Sequence, residues 1–440
     1  VDLVTSDDGA AAVELWPVGS ATGVGSLPGG DPVAAQKLVF DELPELPHLV
    51  ELPGRGPGAD MLGRAAVIAV ELPVDLQPSG WRLVPRPGLD YRRARGMVEH
   101  DLDALEEAGD GYTGPLKIAV TGPWTLAAGI ELTRGHKALS DPGATRDIAE
   151  SLAAGLDDVL GTIARRVPGA RLLVQLDEPS LPAVLAGRVR TPSGFSVLPA
   201  ADHGLVGERL ALVLGAAGRA AHVAGVGVHC CAPDVPLELL RRAGAQFVGL
   251  DFTLLTQRSD DAVGEAVEAG LRLLAGVVPS TDQPDGPPPP SPSAGVAADA
   301  AVGTGPRRRA AAVAAKAPAP STRVRGAAGR LGLLADDDDR PGAGGGAGSG
   351  AGTGSGAGTG SGAGTGTGGG ARGGPELSDP SRTVDPVRAL WRRLGFRPEL
   401  LAEVVAVTPT CGLAGASEGY ARLAMRHCRA AARLLVESPE

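Results

Sequence analysis

Aromatic side chains are scarce in this chain: four Trp, three Tyr and five Phe make up 3% of 440 residues. Its core must be built from Val, Leu and Ala, which the 43% hydrophobic content allows. Cysteine occurs only four times. That excludes a disulfide scaffold and suits a reducing cytoplasm. No run approaches the ~20 apolar residues of a transmembrane helix. The opening stretch, Val1 to Asp8, has no basic segment followed by an apolar one, so no secretory signal is expected. Basic charge is in deficit, with 41 Lys and Arg against 51 Asp and Glu and a net charge of -10. Such acidity argues against wide nucleic-acid contact. The expected partners are small molecules, with no nucleic acid and no membrane.

Glycine and proline are abundant instead, at 66 and 38 residues, and they cluster. Residues 284–380 hold Pro287-Pro288-Pro289-Pro290 and Gly-Ala-Gly-Ser/Thr repeats from Gly344 to Gly370. Such sequence loses much entropy on ordering and offers little to bury, so a disordered insert is expected there. Residues 1–15 are expected to be a flexible leader. On either side of the insert, apolar runs of strand length alternate with helix patterns. Leu116–Val120, Arg171–Leu176, Ala224–Val228, Phe247–Leu250, Leu273–Val278 and Leu401–Val407 are the clearest. Ala21–Gly25 and His48–Leu52 read as two earlier strands, and Val70–Val84 as a hairpin. Asp31 and Asp141-Pro142 are helix starts. Eight strands with helices between them predict a (β/α)8 TIM barrel. Residues 16–283 would supply its first part and residues 381–440 its last strand and helix, with the insert after strand 7.

The carboxyl ends of such strands gather the chemistry. His229 and Cys231 are two apart at one strand end and can point the same way. An imidazole and a thiolate suit Zn2+. Cys411 and Asp251, at two other strand ends, are the candidates to complete the set. The competing reading is two small buried residues beside a satisfied histidine. Asp177-Glu178-Pro179 ends another strand in two carboxylates. They are read as substrate contacts, or as capping and ion-pairing groups. Ser26, in a glycine-rich turn, can face an anion, and Glu51 closes the second strand. Thr121 is expected to satisfy a strand exit, and Trp124 and Cys428 to pack. His48, His100, His136, His203, His222 and His427 are expected at the surface or as caps.

Several of these runs together resemble the catalytic C-terminal half of cobalamin-independent methionine synthases. Gly23-Val24-Gly25-Ser26-Leu27-Pro28 is similar to that family's Gly-Ser-Phe-Pro run. Thr121-Gly122-Pro123, Asp177-Glu178-Pro179, His229-Cys230-Cys231 and Cys411-Gly412-Leu413 match further motifs. The resemblance covers about residues 16–283 and 381–440, and its motifs are specific together rather than singly. It implies a zinc enzyme of methionine biosynthesis, transferring a methyl group to the thiol of homocysteine from methyl-folate or a methyl-corrinoid. His229, Cys231 and Cys411 would bind zinc, with Asp251 where the family has glutamate. Asp177 would hold the substrate amine, Ser26 its carboxylate, and Glu51 would be a second amine contact. Three departures stand out. Val277-Val278-Pro279-Ser280 carries no histidine where the family has one linked to proton handling. The insert enters at that point. No second barrel is expected before this one, which would resemble shorter forms of the family thought to use another methyl donor. The alternatives are a methyltransferase on a different thiol or from a methylated corrinoid, a non-catalytic barrel acting as an interaction module, and a decarboxylase of related fold.

Overall fold

The computed structural model describes residues 14–282 and 377–440. The expected leader, apart from its last two residues, and nearly all of the expected insert lie outside them. Eight strands occur among the described residues. β1 (Val74–Gln77) and β2 (Gly80–Leu83) form the expected hairpin, antiparallel, with Val74 opposite Leu83. β3 (Pro115–Thr121), β4 (Arg171–Asp177), β5 (Val223–Cys230), β6 (Phe247–Asp251), β7 (Arg272–Val278) and β8 (Val405–Pro409) form one parallel sheet in that order.

The helices between these strands start where the sequence supplies caps. Asp31 accepts from the amides of Val33 and Ala34, Asp141 from Gly143 and Ala144, and Asp202 from Leu205. Each satisfies amides that the first helical turn leaves unpaired. Strand alternation then sorts the side chains. Leu172, Val174 and Leu176 of β4 join the main core with Leu116, Ile118 and Val120 of β3. Leu173 packs on the other face in a second cluster with Trp16, Phe247, Leu274 and Ala406. Trp16 meets Phe247 edge to face, with ring centroids 5.8 Å apart. Leu15 beside it is 3% exposed.

The expected closed barrel of eight strands is not what forms. The sheet is an open, curled half-barrel of six parallel strands. The two segments expected as its first strands add no ladder. Ala21 bridges Val407, Ser26 bridges Glu51 and His48 bridges Lys117, each as an isolated pair. Their composition and flanks weaken them as ladder strands. Gly23 and Gly25 offer no side chain to pack along a strand, and Pro28, Pro47 and Pro53 cannot donate to a ladder. Both segments still lie against the sheet. Thr22 N–H donates to the Val407 carbonyl at 3.0 Å, and Leu49 N–H to that of Lys117 at 2.9 Å.

Candidate metal centre

Parallel register levels the strand ends. Thr121 of β3, Asp177 of β4 and His229 of β5 lie side by side at the carboxyl edge. Gly249, opposite His229 on β6, leaves room for the imidazole: a Cβ there would stand 2.7 Å from His229 Nδ1. Cys230 is the outward residue of this stretch and is fully buried, while Cys231 follows β5 at the mouth. Cys411 follows β8, where Thr410 N–H donates to the Val278 carbonyl at 2.8 Å.

These elements bring His229, Cys231 and Cys411 together. One donor atom from each lies within 4.8 Å of the other two, and the sulfurs are 3.3 Å apart. The two thiols share a hydrogen bond. That bond and the nearby His229 push the Cys411 thiol well below its ordinary range, and the same bond pushes Cys231 up. His229 Nε2 is buried without a hydrogen-bond partner. A buried polar atom left unpaired is costly. An imidazole nitrogen and two sulfurs this close together fit a soft or borderline metal ion such as zinc. Three protein donors leave a fourth tetrahedral position open.

Asp251, expected as a further ligand, is not brought into this group. Its Oδ1 accepts from Thr253 N–H at 2.9 Å and from Thr253 Oγ1 at 2.6 Å, capping the turn after β6. It lines a cavity of about 690 Å3 between the exits of β5 and β6, with Pro233, Leu254 and Arg258.

The carboxylates divide by role. Glu178 is fully buried and accepts from Trp124 N–H (2.9 Å), Thr125 N–H (2.7 Å) and Thr125 Oγ1 (2.7 Å). It therefore caps the helix Pro123–Gly129 from a neighbouring strand end. Burial pushes its carboxyl up to about 7. Asp177 is buried too, and burial raises its pKa against the pull of His229 and Lys117. Its Oδ1 accepts from Gln175 Nε2 at 2.7 Å. Glu51 is raised to about 7 by burial, opposed by Arg64, whose Nε lies 3.4 Å away. Arg64 in turn is paired with the wholly buried Asp101, which Arg55 also meets at 2.7 Å. Ser26 is tied to two other site segments: Leu27 N–H donates to the Glu51 carbonyl at 2.9 Å, and Leu413 N–H to that of Ser26 at 2.8 Å.

Thr121 Oγ1 donates to the Met61 carbonyl at 2.7 Å, satisfying the strand exit. Trp124 packs, with Nε1 on the Val206 carbonyl at 3.2 Å. Cys428 is buried in the core. Two histidines expected at the surface or as caps are buried instead. His48 lies against the sheet, and His427 shares a 2.7 Å bond with Thr383. Sequence reasoning also passed over Lys117, Gln175, Arg64 and Asp101. The signal was available for the first two: a lysine and a glutamine at inward positions of otherwise apolar strands.

The fold and site thus define an α/β protein with an open parallel sheet and a His/Cys/Cys candidate metal centre at its carboxyl edge. Among the described residues no helix is long and apolar enough to cross a membrane. No protein-family model matches the chain, and no curated protein matches it. Among solved structures it is similar to a B12-independent methionine synthase from Shewanella sp. W3-18-1 in complex with selenomethionine, at 10% identity and a TM-score of 0.47. That match covers 96% of this chain and 98% of the other. A tryptophan synthase complex from Pyrococcus furiosus matches at 15% identity and a TM-score of 0.22, over 59% of this chain and 88% of that one.

Proposed function

We propose that the protein is a zinc-dependent methyltransferase acting on the thiol of homocysteine to give methionine. The observation that carries this reading is the convergence of a His229 ring nitrogen and the sulfurs of Cys231 and Cys411 at a strand-end mouth. The family motifs around these residues and around Asp177 supply the substrate. A free thiol with a pKa of about 8.5 is mostly protonated and a poor nucleophile at neutral pH. His229, Cys231 and Cys411 would hold the zinc, which when bound would supply the Lewis acidity to keep a thiol as thiolate near pH 7.

The chain's own residues do the rest. Asp177 accepts hydrogen bonds from the substrate ammonium, with Glu51 as a second acceptor. The Ser26 hydroxyl donates to the substrate carboxylate. Held at both ends, the amino acid presents its sulfur in line with the methyl carbon. One carbon–sulfur bond forms as the bond from methyl to its carrier breaks.

The carrier is 5-methyltetrahydrofolate or another methyl donor, and one observation favours a methyl-corrinoid. Methyl-folate needs a proton on its leaving nitrogen, whereas a corrinoid leaves with its electron pair on cobalt. No histidine follows β7 before His427. The test is metal content of the purified chain, followed by zinc-edge absorption with and without homocysteine. About one zinc per chain, gaining a sulfur neighbour on homocysteine addition, is expected. A zinc spectrum blind to homocysteine would overturn the reading.

A further inference from the structure

Between the metal centre and the second core cluster runs a line of buried polar groups that no step above uses. Lys117 of β3 is 0% exposed and Gln175 of β4 is 1% exposed. Lys117 Nζ donates to the Val24 carbonyl at 2.7 Å and to Gln175 Oε1 at 2.9 Å. Gln175 Nε2 donates to the same Val24 carbonyl at 3.1 Å and to Asp177 Oδ1 at 2.7 Å.

The direction of this chain is decided by chemistry. An ammonium only donates, so the end of the Gln175 amide facing Lys117 must be its oxygen. The NH2 end is then turned towards Asp177. It can only donate, so Asp177 Oδ1 must accept. Both side chains are shut in by the strands on either side, so the amide has no solvent partner to turn to. Oδ1 is thereby engaged by Gln175, so a substrate donor would meet Oδ2.

We propose that Lys117, acting through Gln175, is the positioning residue that aims Asp177 at a substrate ammonium group. This rests on the reading of Asp177 as the amine acceptor. It adds the reason why that carboxylate is held as an acceptor in one orientation, and it assigns substrate selectivity for an α-amino group to two residues that do not touch the substrate.

The experiment measures binding of two thiols to the zinc-loaded full chain by calorimetry. One is L-homocysteine; the other is 4-mercaptobutyrate, which keeps the thiol and carboxylate but lacks the amine. Wild type is expected to prefer homocysteine. Gln175→Glu keeps the bond to Lys117 but sets a carboxylate against Asp177. It should weaken homocysteine about tenfold and leave 4-mercaptobutyrate and zinc content unchanged. Lys117→Met leaves the Gln175 oxygen without its donor, so the amide is held from one end only, and should shift the same ratio in the same direction. It also serves as the second variant should Gln175→Glu fail to fold. Equal wild-type affinity for the two thiols would overturn Asp177 as the amine acceptor. A wild-type preference that survives in both variants, or in the one that folds, would overturn the relay alone.

Discussion

Cys231 and Cys411 are 180 residues apart in sequence, yet their sulfurs lie 3.3 Å apart. Two strand exits, those of β5 and β8, are needed to bring them together. A pair this close holds a soft metal well when one is bound and is exposed to oxidation when it is not. After zinc is removed with a chelator, hydrogen peroxide should convert the pair to a disulfide, two thiols and one peroxide giving one disulfide and two waters. The thiol count in denaturant should fall from the four free cysteines present to about two. The zinc-loaded protein should keep all four. An unchanged count in the metal-free protein would show that the sulfurs do not meet.

The metal centre makes unequal demands on three residues. Cys411→Ser and His229→Ala should each reduce zinc from about one per chain towards zero after dialysis. Asp251→Ala should retain it, because the Asp251 carboxylate is already occupied by Thr253. Metal analysis of the three variants checks this. Loss of zinc from Asp251→Ala would show that the carboxylate leaves its turn to join the metal.

Packing in the second layer offers a stability test on one helix. At Gly155, in the helix Pro142–Arg166, an added Cβ would stand 1.8 Å from the Ile68 carbonyl oxygen. That contact is backbone, so the helices must separate. Gly155→Ala should destabilise by about 1–3 kcal/mol. At Gly161 on the same helix the nearest atom would be the movable Arg165 guanidinium at 3.5 Å. Gly161→Ala should be neutral or stabilise by up to about 1 kcal/mol. Urea unfolding of the pair measures both, and equal effects would refute the close approach.

His48 gives a pH dependence of definite sign. Burial, and then the charge of Lys117, lowers its pKa from 6.5 to about 3. Between those values the unfolded chain binds a proton that the folded chain does not. Stability from this group is therefore present above pH 6.5 and lost as pH falls towards 3, by up to about 1.4 kcal/mol per pH unit. His48→Gln should lose less stability than wild type between pH 7 and pH 5. Parallel losses in the two proteins would show that His48 does not remain neutral in the fold.

Much of the site was legible because its signals are local. The His229–Cys231 spacing, the Asp177-Glu178-Pro179 ending and the Cys411 turn each announce a strand exit with reactive groups. The caps at Asp31 and Asp141 are equally local, as is the alternation that sends Leu172 and Leu173 to opposite faces. The division between Asp177 and Glu178 was not readable. It depends on Trp124 and Thr125, at the start of the helix Pro123–Gly129, arriving from the end of another strand to occupy Glu178. The buried placing of His48 likewise depends on a segment that bridges Lys117 far along the chain.

By itself, the amino-acid sequence determined the alternation of strands and helices, the residues at the strand ends and the supply of two thiols and an imidazole for a metal. These follow from periodicity, capping and composition, which act over a few residues. Only the tertiary structure decided that the sheet is a six-stranded open half-barrel. Whether Ala21–Gly25 and His48–Leu52 pair as ladders or as single bridges depends on backbone partners distant in sequence. It also decided that Cys231 meets Cys411 while Asp251 turns to Thr253. A side chain's choice between a neighbour two residues away and a site across the mouth is settled by geometry that exists only once the strands are assembled.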